Sequence, residues 1–124
     1  MPIHIARLAQ AQRFQPAGHY DVGPLHLFGG EKYDGAVTVA LSHYLPGGRA
    51  DLSPVPIQTL YLVLTGTLTL TDADGRTWDL HALDGARLTS GTPRSVENRT
   101  NLPASMLVIR PNPDASPVKA EVQP

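Results

Sequence analysis

Histidine is the side chain best suited to acid–base or metal chemistry near neutral pH, and five stand in this sequence: His4, His19, His26, His43 and His81. Their separations match no recurrent metal-ligand spacing, and no Ser-His-Asp pattern, carboxylate pair, phosphate loop or Gly-rich dinucleotide fingerprint accompanies them. The chain has no cysteine, which excludes a disulfide framework, a thiol nucleophile and a thiolate metal site. General acid–base chemistry is left with Tyr61 and His43, and with Asp51 third. His43 stands on a strand and has two readings. Either it serves a site at one end of the fold, or it tips a partly buried surface shared with Val39 and Leu41. His81 lies on the return strand of an exposed hairpin and reads as solvated.

The elements that must position these residues are strands. From Leu60 to Thr71 the chain uses Leu, Val, Tyr and Thr, the residues that fit a pleated surface. Gly66 interrupts this run where a strand interior would not want it, which predicts a bend. Asp74-Gly75 supplies the tight turn of a hairpin, and Trp78 lies on its return strand. Further strands are predicted over residues 22–28, 36–45, 86–89, 94–98 and 104–110. Residues 49–56, with Pro54 and Pro56, read as a loop, and residues 6–14 as one or two turns of helix. Many short strands at 8–12-residue spacing indicate an all-β sandwich or barrel.

Composition narrows the function classes. The chain has 124 residues, 12 prolines and 11 glycines, which suits one turn-rich domain rather than a helical bundle. Ten basic residues against eleven acidic ones make no footprint for nucleic acid. The start lacks a signal-peptide pattern, and no apolar run approaches the roughly 20 residues that span a bilayer. A cytoplasmic protein without membrane association is the expectation. Residues 1–20 form an N-terminal arm of a domain spanning 1–110, and residues 111–124 a Pro-rich, flexible tail.

Two segments resemble the paired signatures of the cupin superfamily. Residues 46–66 follow the first, G-x5-H-x-H-x3-4-E-x6-G, with Gly47 and Gly66 in place. Residues 84–98 follow the second, which ends in P-x-G-x2-H-x3-N, through Gly91, Pro93 and Asn98. The resemblance implies an antiparallel jelly-roll barrel, the cupin double-stranded β-helix, with a ligand site in its mouth. It departs where the family's chemistry sits. Ser53 and Val55 occupy the two histidine positions of the first signature, Thr59 the glutamate position, and Arg94 the histidine of the second. Iron, manganese, nickel and zinc favour imidazole and carboxylate, so neither a metal nor another cofactor is expected.

What the resemblance leaves in the pocket phase is Ser53, Thr59, Tyr61, Arg94 and Asn98, a set that orients a small polar ligand by hydrogen bonds. Thr59 and Tyr61 also read as plain β-formers, and Asn98 as the cap of a turn. Arg94 has two readings. It anchors a ligand anion, or it pairs with Asp51 and closes the site. Two functions follow: an accessory or non-catalytic cupin that binds a small polar or anionic molecule, and a metal-independent isomerase, cyclase or lyase acting on a small carboxylated or phenolic substrate. If the family's phase holds, Leu60, Leu62 and Leu64 point outward and predict a homodimer. The opposite phase puts them in the core, and periodicity alone does not choose.

Overall fold

The computed structural model describes residues 3–116. Its strands are β1 (Gln12–Arg13), β2 (His19–Phe28), β3 (Val37–Pro54), β4 (Thr59–Thr65), β5 (Leu68–Asp72), β6 (Thr77–Leu80), β7 (Gly85–Leu88), β8 (Pro93–Glu97) and β9 (Ala104–Pro111). All pairings are antiparallel. The hydrogen-bonded path runs β6-β5-β8-β3-β9-β4-β7, with β2 added to β3 and β1 to β2. It curls into a nearly closed barrel, with β6 and β7 at the two ends of the path.

The strand β3 is the hinge of this arrangement. Its first half pairs with β9, from Val37↔Pro111 to Tyr44↔Ala104. Its second half pairs with β8, from Arg49↔Glu97 to Pro54↔Pro93. The sequence predicts a strand end at Pro46-Gly47-Gly48 and a loop from residue 49; the structure instead carries the strand through to Pro54. Backbone hydrogen bonds explain the difference. Gly47 N donates to the Asn98 carbonyl and Asn98 N donates to the Gly48 carbonyl, both at 2.9 Å. The glycines bend the strand while β8 takes over the ladder that β9 leaves. No local propensity reports that long-range exchange.

Gly66 bends the chain between β4 and β5 as expected. Its φ is +75°, and a Cβ there would stand 2.7 Å from the Pro103 carbonyl oxygen, so both backbone conformation and space call for glycine. Residues 6–14 form one turn of 3-10 helix, Leu8–Gln10, and the short β1, not a longer helix. Beyond β9, Asn112 donates from its amide to the carbonyls of Tyr33 and Gly35 at 3.3 and 2.8 Å, and Ser116 N donates to the Asp34 carbonyl. The start of the predicted flexible tail is therefore tied to residues 33–36; residues 117–124 lie outside the described residues. Among the described residues, no helix is long and apolar enough to cross a membrane.

The core decides the phase of β4. Tyr61 and Val63 point inward with Val22, Tyr44, Val96 and Met106, and Val63 has no exposed surface. Leu60, Leu62 and Leu64 point outward, and Leu60 is 40% exposed. Outside the barrel, Leu62, Leu107, Leu41 and Leu25 stand in register across β4, β9, β3 and β2.

Candidate functional site

Small inward residues on β3 make room for a cavity. Thr38, Ala40 and Ser42 line one wall, and Tyr44 stands below them on the same face. Met106, Val108 and Arg110 of β9 supply the next wall, and Tyr61 of β4 and Arg94 of β8 the far side. Across the mouth come the β1–β2 connection and β2 itself, with Phe14, His19 and His26. Phe14 stacks on the His26 ring at a centroid distance of 4.0 Å. The cavity measures about 200 Å³, below the roughly 300–1,000 Å³ usual for drug-sized ligands. It suits a ligand of monosaccharide size or smaller.

Arg94 is the electrostatic centre. It is only 6% exposed. Its Nε donates to the Tyr61 hydroxyl at 2.7 Å, and its Nη1 to Ser53 Oγ at 3.0 Å and to the Asp51 carbonyl at 3.1 Å. Every partner is neutral. The Asp51 carboxylate pairs instead with the exposed Arg49 at 3.0 Å, so the alternative of an Arg94–Asp51 pair closing the site does not form. A second guanidinium stands beside it. Arg110 Nε donates to Thr59 Oγ1 at 3.0 Å, and Thr59 donates onward to the Ile57 carbonyl at 2.8 Å. Among the described residues neither arginine has an ion pair.

The other titratable groups respond to this environment. Burial pushes the Tyr44 hydroxyl well above the usual tyrosine range, with Tyr61 adding to the effect and Arg94 opposing it. Burial also lowers His19, opposed by the hydrogen bond to the Ala17 carbonyl and reinforced by the positive charges of Arg94 and Arg110. Burial lowers Arg110, and Arg94 adds to that. The Arg110 guanidinium nevertheless stays cationic.

The structure brings together Arg94, Tyr61 and Ser53 in one hydrogen-bonded group, while Thr59 belongs to a separate one with Arg110. It does not bring His43 or Asn98. His43 is exposed on the outer face of β3, because Ser42 and Tyr44 take the inward positions of the alternation. Asn98 is fully buried and spent on the turn after β8. Its amide donates to the carbonyls of Tyr44 and Leu102 at 3.1 and 2.7 Å, while its oxygen accepts from Thr100 N and Oγ1. Sequence reasoning missed Tyr44, Arg110 and His19. The alternation Ala104, Met106, Val108, Arg110 on β9 is a readable signal for Arg110, and the small face Thr38, Ala40, Ser42 is one for Tyr44. His19 carries no such signal.

Residues 40–110 match the family model described as a Cupin domain. The chain belongs to the cupin family. It is also similar to a protein of Mycobacterium tuberculosis named beta-D-galactosidase, 38% identical over 112 residues that cover 90% of this chain and 96% of that one. Among solved structures, the polyketide cyclase RemF from Streptomyces resistomycificus superposes with a TM-score of 0.78 at 15% identity, over 88% of this cupin and 79% of that chain. A sugar phosphate isomerase of the cupin superfamily from Silicibacter pomeroyi gives 0.71 at 24% identity, over 86% and 74%. At these identities the structural likeness concerns the fold.

The cupin family implies a metal, and the residues at its signature positions do not fit one. Ser53 and Thr59 accept from Arg94 and Arg110, Val55 is packed in the core, and Arg94 places a cation where a ligand would stand. A divalent ion would meet two hydroxyls and two positive charges, a donor set no first-row metal favours. Among the described residues, no group of three or more His, Cys, Asp or Glu side chains could hold a metal.

Proposed function

We propose that this cupin binds a small organic anion in its barrel, with the Arg94 and Arg110 guanidinium groups taking the place of the family's metal. The observation that carries the reading is a buried Arg94 whose three hydrogen bonds all go to neutral partners. A buried cation without a counter-charge costs several kcal/mol, and a bound carboxylate or phosphate offsets that cost. Arg94 Nη2 and both terminal nitrogens of Arg110 make no hydrogen bond among the described residues, which leaves donors for such a ligand. Tyr44, Tyr61 and Ser42 line the same space and suit its hydroxyl or carbonyl groups.

The names of the relatives bear on this reading unequally. Glycoside hydrolysis by the usual route employs two carboxylates flanking the scissile bond, and among the described residues no Asp or Glu lines the cavity. A galactosidase activity therefore has no support from the site. A second reading, a metal-independent isomerase, cyclase or lyase working on the bound anion, is favoured by His19, an imidazole lining the same cavity as the two arginines. The test of the primary reading is the release of bound small molecules from native protein, identified by mass spectrometry. An organic acid or phosphate ester enriched in the wild type and depleted in Arg94→Ala and Arg110→Ala is the expected result. Equal recovery from all three proteins would overturn it.

A further inference from the structure

The hydrogen-bond pattern around the cavity assigns each ring nitrogen of His19. Its Nδ1 stands 3.0 Å from the Ala17 carbonyl oxygen, which can only accept, so Nδ1 carries the hydrogen. In the neutral ring Nε2 then keeps its lone pair, and Nε2 has no partner among the described residues. This is the arrangement that fixes the tautomer of a histidine working as a base. The two tyrosines are complementary to it. Arg94 Nε donates into the Tyr61 hydroxyl, so the tyrosine's own hydrogen points elsewhere and is available. Tyr44 also lines the cavity, on the same face of β3 as Ser42.

We propose that His19 Nε2 is the general base of a proton transfer on a small anionic carbonyl compound, held by Arg94 and Arg110 with its carbonyl oxygen towards Tyr44 and Tyr61. The proposal rests on the anion-binding reading of the site and adds a reaction to it. In the step, the Nε2 lone pair takes a hydrogen from the carbon next to the carbonyl. The C–H electron pair forms the enolate C=C bond, and the carbonyl π pair moves to oxygen, where the tyrosine hydroxyls donate to it. After the proton on His19 swaps with water, return to the same carbon gives exchange. Where that carbon carries a hydroxyl, return to the former carbonyl carbon gives an isomer, the hydroxyl becoming the new carbonyl as its hydrogen passes to the other oxygen. No oxidant, reductant or second substrate enters the balance.

The chemistry of the groups selects the substrate class. An imidazole is a weak base, matched to the hydrogen beside a ketone or aldehyde and not to the far less acidic hydrogen beside a lone carboxylate. The two guanidinium groups call for a carboxylate or a phosphate elsewhere on the molecule. Burial and the neighbouring arginines keep the ring neutral at physiological pH, the state a base needs.

The experiment follows two probes, 2-oxobutanoate for the carboxylate and dihydroxyacetone phosphate for the phosphate. Binding is read by calorimetry, and wash-in of deuterium from D2O by proton NMR. The expected result is that at least one probe binds, that Arg94→Ala weakens it tenfold or more, and that wild-type protein exchanges its hydrogen about 100-fold or more faster than His19→Gln. His19→Gln should bind that probe within about threefold of wild type, since general-base loss falls on the chemical step. His19→Asn serves as a second variant if the first does not fold. The probe that responds identifies the anion. Intact, Arg94-dependent binding with equal exchange in wild type and His19 variants would overturn the role of His19 and leave the anion site standing. Failure of both probes to bind would overturn the anion reading, and this proposal with it.

Discussion

Replacing Arg94 by methionine separates a charge kept for a ligand from one kept for the fold. Methionine has similar reach and can fill the volume, so the change removes the charge and three hydrogen bonds without opening a large cavity. Each of those bonds, to Tyr61, Ser53 and the Asp51 carbonyl, contributes about 1 kcal/mol net, or roughly 3 kcal/mol together. Against this stands the desolvation of a guanidinium with no carboxylate beside it, several kcal/mol. The groups left behind are not orphaned. Tyr61 faces the cavity, and Ser53 and Asp51 are exposed, so water replaces the lost donor. The expected outcome is that Arg94→Met, refolded free of ligand, is between unchanged and about 3 kcal/mol more stable than wild type. Urea titration followed by tryptophan fluorescence and circular dichroism measures it. Anion stabilisation should run the other way, present in wild type and absent in the variant. A loss of more than about 2 kcal/mol in the ligand-free protein would refute the reasoning, because Arg94 would then be a structural residue in a compensated environment.

Protein purified without an affinity tag should carry no stoichiometric iron, manganese, nickel or zinc by elemental analysis. Near-unit occupancy that disappears on changing Arg94 or Tyr61 would contradict the donor-set argument. Asn98→Ala should destabilise by about 2–4 kcal/mol in urea, since it removes the hydrogen bonds of a fully buried amide to the Tyr44 and Leu102 carbonyls and from Thr100, and a change below about 0.5 kcal/mol would mean the turn re-forms without it. The outward face of Leu60, Leu62 and Leu64, with Leu60 40% exposed, leads us to expect a homodimer by light scattering at micromolar concentration, with Leu62→Asp shifting it to monomer. A wild-type monomer would remove that argument. Because folding lowers His19, chiefly by burial, the unfolded chain takes up that proton first as pH falls. The associated stability is therefore full above the ordinary histidine value of about 6.5. It is lost as pH falls through the lower folded-state value. His19→Gln should flatten that part of the stability–pH curve, and an unchanged slope would assign it to other groups.

Strand vocabulary and turn residues were enough to read an all-β sandwich or barrel, because these depend on local sterics and on alternation, and the resemblance of the Gly47, Gly66, Gly91 and Asn98 framework to the cupin signatures implied the antiparallel barrel. The same framework put Arg94 where the family keeps a metal ligand, and Ser53 and Thr59 beside it, which the barrel's fixed register preserves. Alternation alone did not give the sign of the phase. A period of two is satisfied equally by Leu60 or by Tyr61 facing inward, and only the closure of β4 against β9 and β7 puts Tyr61 and Val63 inside. For the same reason His43 fell on the outer face and Tyr44 on the inner one. Asn98 was legible as a special residue, but whether its amide meets a ligand or the Tyr44 carbonyl depends on a neighbour 54 positions away. Arg110 and His19 lie near opposite ends of the chain, and their meeting with Arg94 is set by β2 and β9 flanking β3. Residue types and spacing were enough for most of the strands and for the bend at Gly66, but not for the second half of β3. Tertiary pairing decided which side chains share the cavity, because convergence across distant strands is a property of the closed barrel and not of any one segment.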